Sequence, residues 1–107
     1  MDEKRRSQRR ASLTRCRVDR LFSREKPFAA RVINFSENGL MLEQDYPLRP
    51  GDPLTVLFEP DAPEVPILGS STCIGMVRWC VQQEGNVGAL YGVGVELARR
   101  CLHPTVT

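Results

Sequence analysis

The sequence predicts an all-β domain, a small antiparallel barrel or sandwich, and three observations carry that expectation. Apolar residues recur at period two, as in Leu54, Val56 and Phe58 or in Tyr91, Val93, Val95 and Leu97, the spacing that turns one face of a strand toward a core. Proline, glycine and polar clusters punctuate the chain between those stretches, as turns require. No stretch carries the 3.6-residue periodicity of a long amphipathic helix.

Taken in order, residues 1–10 are almost wholly polar, with no apolar residue between Met1 and Ala11. Such a segment buries too little to order itself and is expected to be a flexible arm. Over residues 12–22 the pattern is irregular. Leu13, Cys16 and Val18 fit a helical stripe, while Cys16, Val18 and Arg20 fit a sheet. Residues 23–27 read as a turn ending in Pro27, and residues 28–33 as a strand. Residues 34–38 form a polar turn, and Gly39, which can take positive φ without steric cost, opens the strand 39–43. Residues 44–53 hold three prolines and Gly51 and read as a loop; residues 59–66 are a second proline-marked loop. Residues 67–81 supply one long bent strand or two strands, with Gly69 and Gly75 as bend candidates. Residues 82–86 form a polar turn before the last strand, 89–97. Residues 98–107 have room for at most a short helical turn ahead of His103 and Pro104.

At 107 residues the chain amounts to one domain, large enough to close a core without disulfide or metal staples. Four cysteines, with no C-x-x-C pair and no apolar segment after the basic N-terminus, suit reduced, structural thiols in the cytoplasm better than an exported disulfide framework. No apolar run approaches the ~18 residues of a membrane span, so no membrane insertion is expected. The net charge of +2 hides an asymmetry: residues 1–26 carry +6 and residues 27–107 carry −4. A basic head on a mildly acidic body points to an anionic partner.

Two stretches stand out chemically. The arm reads Lys4-Arg5-Arg6-Ser7-Gln8-Arg9-Arg10, with arginines four apart in two frames, and the polar turn reads Asn34-Phe35-Ser36-Glu37-Asn38-Gly39. An arginine presents a planar fork of donors that fits phosphate oxygens in pairs and also stacks on a purine. A turn of short polar residues offers backbone N–H groups and side-chain hydrogen bonds to an anion or a base edge. Together these stretches resemble the PilZ family, bacterial receptors for cyclic di-GMP that carry an R-x-x-x-R element followed by [D/N]-x-S-x-x-G. Here the second element is Asn34-x-Ser36-x-x-Gly39, and the first is Arg5-x-x-x-Arg9 or Arg6-x-x-x-Arg10. Gly75-Met76-Val77-Arg78-Trp79 and Gly92-Val93-Gly94-Val95-Glu96-Leu97 resemble the family's closing strand pair, so the likeness spans residues 4–98.

The resemblance implies a six-stranded antiparallel Greek-key-like barrel over residues 12–98, with strand rather than helix over 12–22. Before it comes a flexible basic arm (1–11), and after it a short tail (99–107) with at most a short C-terminal helix. It implies a cyclic di-GMP site built from Arg5, Arg6, Arg9, Arg10, Asn34, Ser36 and Gly39, the pair Arg5 and Arg9 being preferred. Trp79 has two readings: a core or barrel-mouth aromatic alternating with Val77 and Val81, or a ring placed against a guanine, as in some family members. The residue before the R-x-x-x-R element bears on whether one or two ligand molecules bind, and Lys4 or Arg5 fills that place according to frame.

On this reading the protein is a ligand-switched adaptor that signals, in contexts such as motility and biofilm formation, to a partner protein the sequence does not name. No cofactor or metal is expected. Catalysis finds little support: His103 is the single histidine, no cysteine or histidine stands at metal-ligand spacing, and acidic residues scattered through loops read as solvated surface. One alternative is a ligand-independent interaction module of the same fold, as among relatives associated with type IV pili, although those lack both motifs. Another is a small nucleic-acid-binding barrel, disfavoured by an aromatic content of 7% and no stacking row along one strand.

Overall fold

A computed structural model describes residues 10–83 and 90–98. Its elements are β1 (Arg10–Ala11), β2 (Arg15–Arg20), β3 (Phe28–Ser36), β4 (Gly39–Gln44), β5 (Pro53–Leu57), a single-turn α1 (Val65–Leu68), β6 (Thr72–Gln82) and β7 (Tyr91–Leu97). The strands form two antiparallel meanders, β2-β3-β4 and β5-β6-β7. Pairing of β2 with β5 and of β4 with β7 closes them into a six-stranded barrel. The short β1 adds to β3 outside that ring, setting Arg10 opposite Phe35 and Ala11 opposite Asn34.

Period-two patterning explains the core. Along β2, Cys16 and Val18 point inward between exposed Arg15 and Arg17; along β7, Val93, Val95 and Leu97 are buried, and Tyr91 packs against the same core. Val18, Val32, Leu42, Leu54, Val56 and Val93 have no accessible surface, a burial that at about 25 cal/mol per Å² of apolar area is the main force holding the ring closed. Strand thus prevails over helix at residues 15–20. Arg15 and Arg17 project outward, and Arg15 stands directly opposite Arg31 of β3.

The β5–β6 connection departs from the sequence reading. Residues 67 and 68, expected at the start of a strand, belong to α1, and β6 begins only at Thr72. Pro66 suits the first turn of a helix, where a missing N–H costs nothing, and Gly69 ends α1 in the left-handed conformation at φ 88° with its N–H donating to the Val65 carbonyl. Gly69 is therefore a helix cap, and the irregularity within β6 falls between Val77 and Trp79 instead of at Gly75. The same connection turns Ala62, Glu64 and Leu68 inward. A solvated Glu64 was the expectation; its side chain is fully buried. Cys16, Cys73 and Cys80 carry free thiols. Residues 99–107, where a short C-terminal turn was expected, lie outside the described residues.

Candidate functional site

The polar turn is tighter than its sequence suggests. β3 runs on through Ser36 and β4 begins at Gly39, so only Glu37 and Asn38 lie between the strands, and Ser36 pairs with Gly39. The Ser36 hydroxyl accepts the Asn38 N–H at 3.3 Å, a side-chain turn typical of serine. The Asn38 carbonyl accepts the Leu97 N–H at 2.9 Å, tying the turn to the end of β7. Gly39 does not use positive φ. Among the described residues that conformation occurs at Gly51, Gly69 and Phe22, whereas Gly39 is a buried strand residue opposite Glu96.

Asn34 sits where the β3–β4 register shifts, between Val32 and Asn34. The extra residue there turns the Asn34 side chain toward Met41, which accepts a weak hydrogen bond from Nδ2 at its sulfur, 3.5 Å away. Asn34 Oδ1 is buried with no hydrogen-bond partner. A buried amide oxygen without a donor carries an uncompensated desolvation cost of about 1–3 kcal/mol. On its other side Asn34 faces Ala11 of β1. The chain that carries the arginines thus reaches the barrel beside Asn34 and Phe35. Arg10 has its backbone placed there, and Arg5, Arg6 and Arg9 lie outside the described residues.

Trp79 is turned outward by the second irregularity. Strict alternation would put Val77, Trp79 and Val81 on one face, but the register shifts between Val77 and Trp79. Val77 is 1% exposed while Trp79 and Val81 are 41% and 57% exposed. A bulge inserted into one strand does this. The indole lies on the outer face of β7 over Gly94, where an added Cβ would fall 2.3 Å from Cε2. Trp79 is therefore neither a core nor a barrel-mouth aromatic; it is a surface ring seated on glycine.

Registers across four strands place these groups in one row. Asn34 is opposite Met41, Met41 opposite Gly94, and Gly94 opposite Trp79. The row is a shallow outer platform with an amide at one end, a thioether between and an indole at the other. Met41 and Gly94 are the members that motif reasoning missed. The Gly92-Val93-Gly94-Val95 alternation, with both glycines on the face away from the core, was the available signal. Two nearby carboxylates are matched, Glu96 accepting from Arg78 at 2.5 Å and Glu43 from Arg31 at 2.6 Å, while Glu37 stands exposed in the turn itself.

Among the described residues, no three histidine, cysteine or acidic side chains gather as metal ligands, and no helix is long and apolar enough to cross a membrane. Comparison with known families gives one finding: the model of the PilZ domain matches residues 3–101. No curated protein matches the chain.

Proposed function

The chain belongs to the PilZ domain family, a family of binding and adaptor modules rather than enzymes, and on that premise we propose that it is a cyclic di-GMP receptor acting as a ligand-switched adaptor. Cyclic di-GMP presents two phosphodiesters and two guanine faces. In this proposal the arginine pair, Arg5 with Arg9 or Arg6 with Arg10, takes phosphate oxygens and stacks on guanine. Asn34 and Ser36 hydrogen-bond a guanine edge or a phosphate, Gly39 keeps the turn narrow, and Trp79 offers its free face to a base. One or two ligand molecules fit this chemistry, and the surface formed when the arm closes is what a partner protein reads.

The observation that carries the proposal is the pairing of β1 with β3, Arg10 opposite Phe35 and Ala11 opposite Asn34. It sets the end of the arginine-bearing segment, Arg10, beside the strand that leads into the N-x-S-x-x-G turn, which supports reading the two separated motifs as one site.

Calorimetric titration with cyclic di-GMP tests the reading, using the full chain and a chain beginning at Ala11. Saturable binding by the first, with a micromolar constant equivalent to about −8 kcal/mol, and none by the second is the expected result. The stoichiometry distinguishes one ligand from two. Absence of binding by both would favour a ligand-independent interaction module.

A further inference from the structure

Glu64 is a carboxylic acid with no accessible surface, placed at the start of α1 where its own carbonyl accepts the Leu68 N–H at 2.9 Å. Its Oε2 accepts a hydrogen bond from the Ser12 hydroxyl, 52 positions earlier in the chain, and its Oε1 has no partner. An apolar side chain of similar volume would fill this space without burying a half-satisfied polar group. Packing alone therefore does not account for an acid here.

What the acid holds is the junction between the arm and the barrel. Ser12 directly follows β1, and its N–H donates to the Ile33 carbonyl at 2.9 Å. Its Oγ accepts the Thr14 N–H at 3.2 Å and lies 3.1 Å from the Thr14 hydroxyl, while the Thr14 carbonyl accepts the Val32 N–H at 2.9 Å. Backbone bonds thus fasten residues 12–14 to β3, and the Glu64 carboxylate fastens the Ser12 side chain to the β5–β6 connection. The break between β1 and β2 is clamped from two sides.

We propose that Glu64 is a positioning residue for the arm: through Ser12 it fixes where the arginine-bearing chain leaves the barrel and keeps β1 in register beside Asn34 and Phe35. The role of the arm in ligand binding rests on the receptor reading above, but the anchoring does not. When only a fraction of molecules holds the arm in the competent place, apparent affinity falls by that fraction, so a loosened anchor weakens binding without touching the ligand.

The test is amide hydrogen exchange on the full chain without ligand, comparing wild type, Ser12→Ala, Glu64→Leu and Glu64→Gln. Protection of the Ser12 amide should fall about tenfold in the first two variants, as for loss of one hydrogen bond to a charged group. Glu64→Gln, which keeps an acceptor, should retain most of it. Amides of β4 and β7 should not change, and the melting temperature of Glu64→Leu should hold or rise while its arm loosens, a divergence that a merely structural role would not give. Unchanged Ser12 protection, or loss spread evenly over the barrel, would overturn the anchoring. Titration of the same proteins with cyclic di-GMP separates the two ideas. Wild-type binding with a weaker Ser12→Ala supports both. Equal binding despite lost protection overturns the positioning role and leaves the receptor reading intact. No binding by wild type overturns the receptor reading, and the exchange result alone then decides the anchoring.

Discussion

Trp79 and Gly94 are in direct contact across β6 and β7: a methyl group on Gly94 would stand 2.4 Å from the indole Nε1 and 2.8 Å from Cζ2. The absence of a side chain at Gly94 lets the large ring pack directly against the outer side of β7 while Trp79 stays 41% exposed. Because the chain has a single tryptophan, tryptophan fluorescence, excited selectively over the two tyrosines, reports on this ring alone.

Gly94→Ala should therefore push the indole off the sheet. Overpacking of this kind costs about 1–3 kcal/mol, read as a lower urea midpoint at constant slope, together with a red-shifted emission as the covered face meets water. Unchanged emission would mean that the ring does not rest on Gly94.

Arg9→Ala and Ser36→Ala should each weaken cyclic di-GMP binding roughly tenfold to a hundredfold, the worth of a hydrogen bond to a charged group. Calorimetry on folded variants, checked by circular dichroism, gives the answer. Full affinity in both would move the site elsewhere on the barrel.

The buried thiols tie stability to alkaline pH. Burial, then the charge of Glu64 and then Cys73, push the Cys16 thiol from 9.0 up to about 12. Burial alone takes Cys73 from 9.0 to about 11. The folded protein holds these protons more tightly than the unfolded chain, so their contribution is complete below pH 9 and disappears as pH rises through 11 to 12. Denaturation midpoints should fall across that window. At pH 8, thiol reagents should modify Cys16 and Cys73 only after unfolding, because the thiolate is the reactive form.

Arg15 and Arg31 stand directly opposite each other on β2 and β3. Arg31 has Glu43 as a partner, while the residue directly across β3 from Arg15 carries like charge. Arg15→Thr should raise stability by about 0.2–1 kcal/mol, with a larger gain at low ionic strength, where repulsion is less screened. A loss of stability would show that the pair is not repulsive in place.

Much of the barrel was legible because its strands keep one apolar face: Val93, Val95 and Leu97 announce a core, and the prolines between 47 and 66 announce connections. The motif turn was legible as chemistry, although its geometry was not. Positive φ at Gly39 was a fair reading of glycine after a polar run, but β3 extends through Ser36 and leaves a two-residue turn that does without it. Ile67 and Leu68 look like the start of a strand because apolar pairs fit either structure, and Pro66 with the Gly69 cap decides for helix. The outward turn of Trp79 depends on which residues face it from β7, a pairing that alternation along β6 alone cannot contain. Glu64 was misread for a related reason. An acid among prolines in a loop is usually solvated, and only the return of Ser12 from 52 residues away gives it a reason to be inside.

Closure of the ring bears on how a partner can dock. Strand addition, by which many adaptors capture an extended peptide, needs a row of backbone donors and acceptors left open at the side of a sheet. The six barrel strands each have neighbours on both sides, but β5 accompanies β6 only through Met76, and from Trp79 to Gln82 β6 is paired with β7 alone. Among the described residues the ring therefore narrows strand addition to that short stretch beside the exposed Trp79 and Val81, and elsewhere it presents side chains and loops.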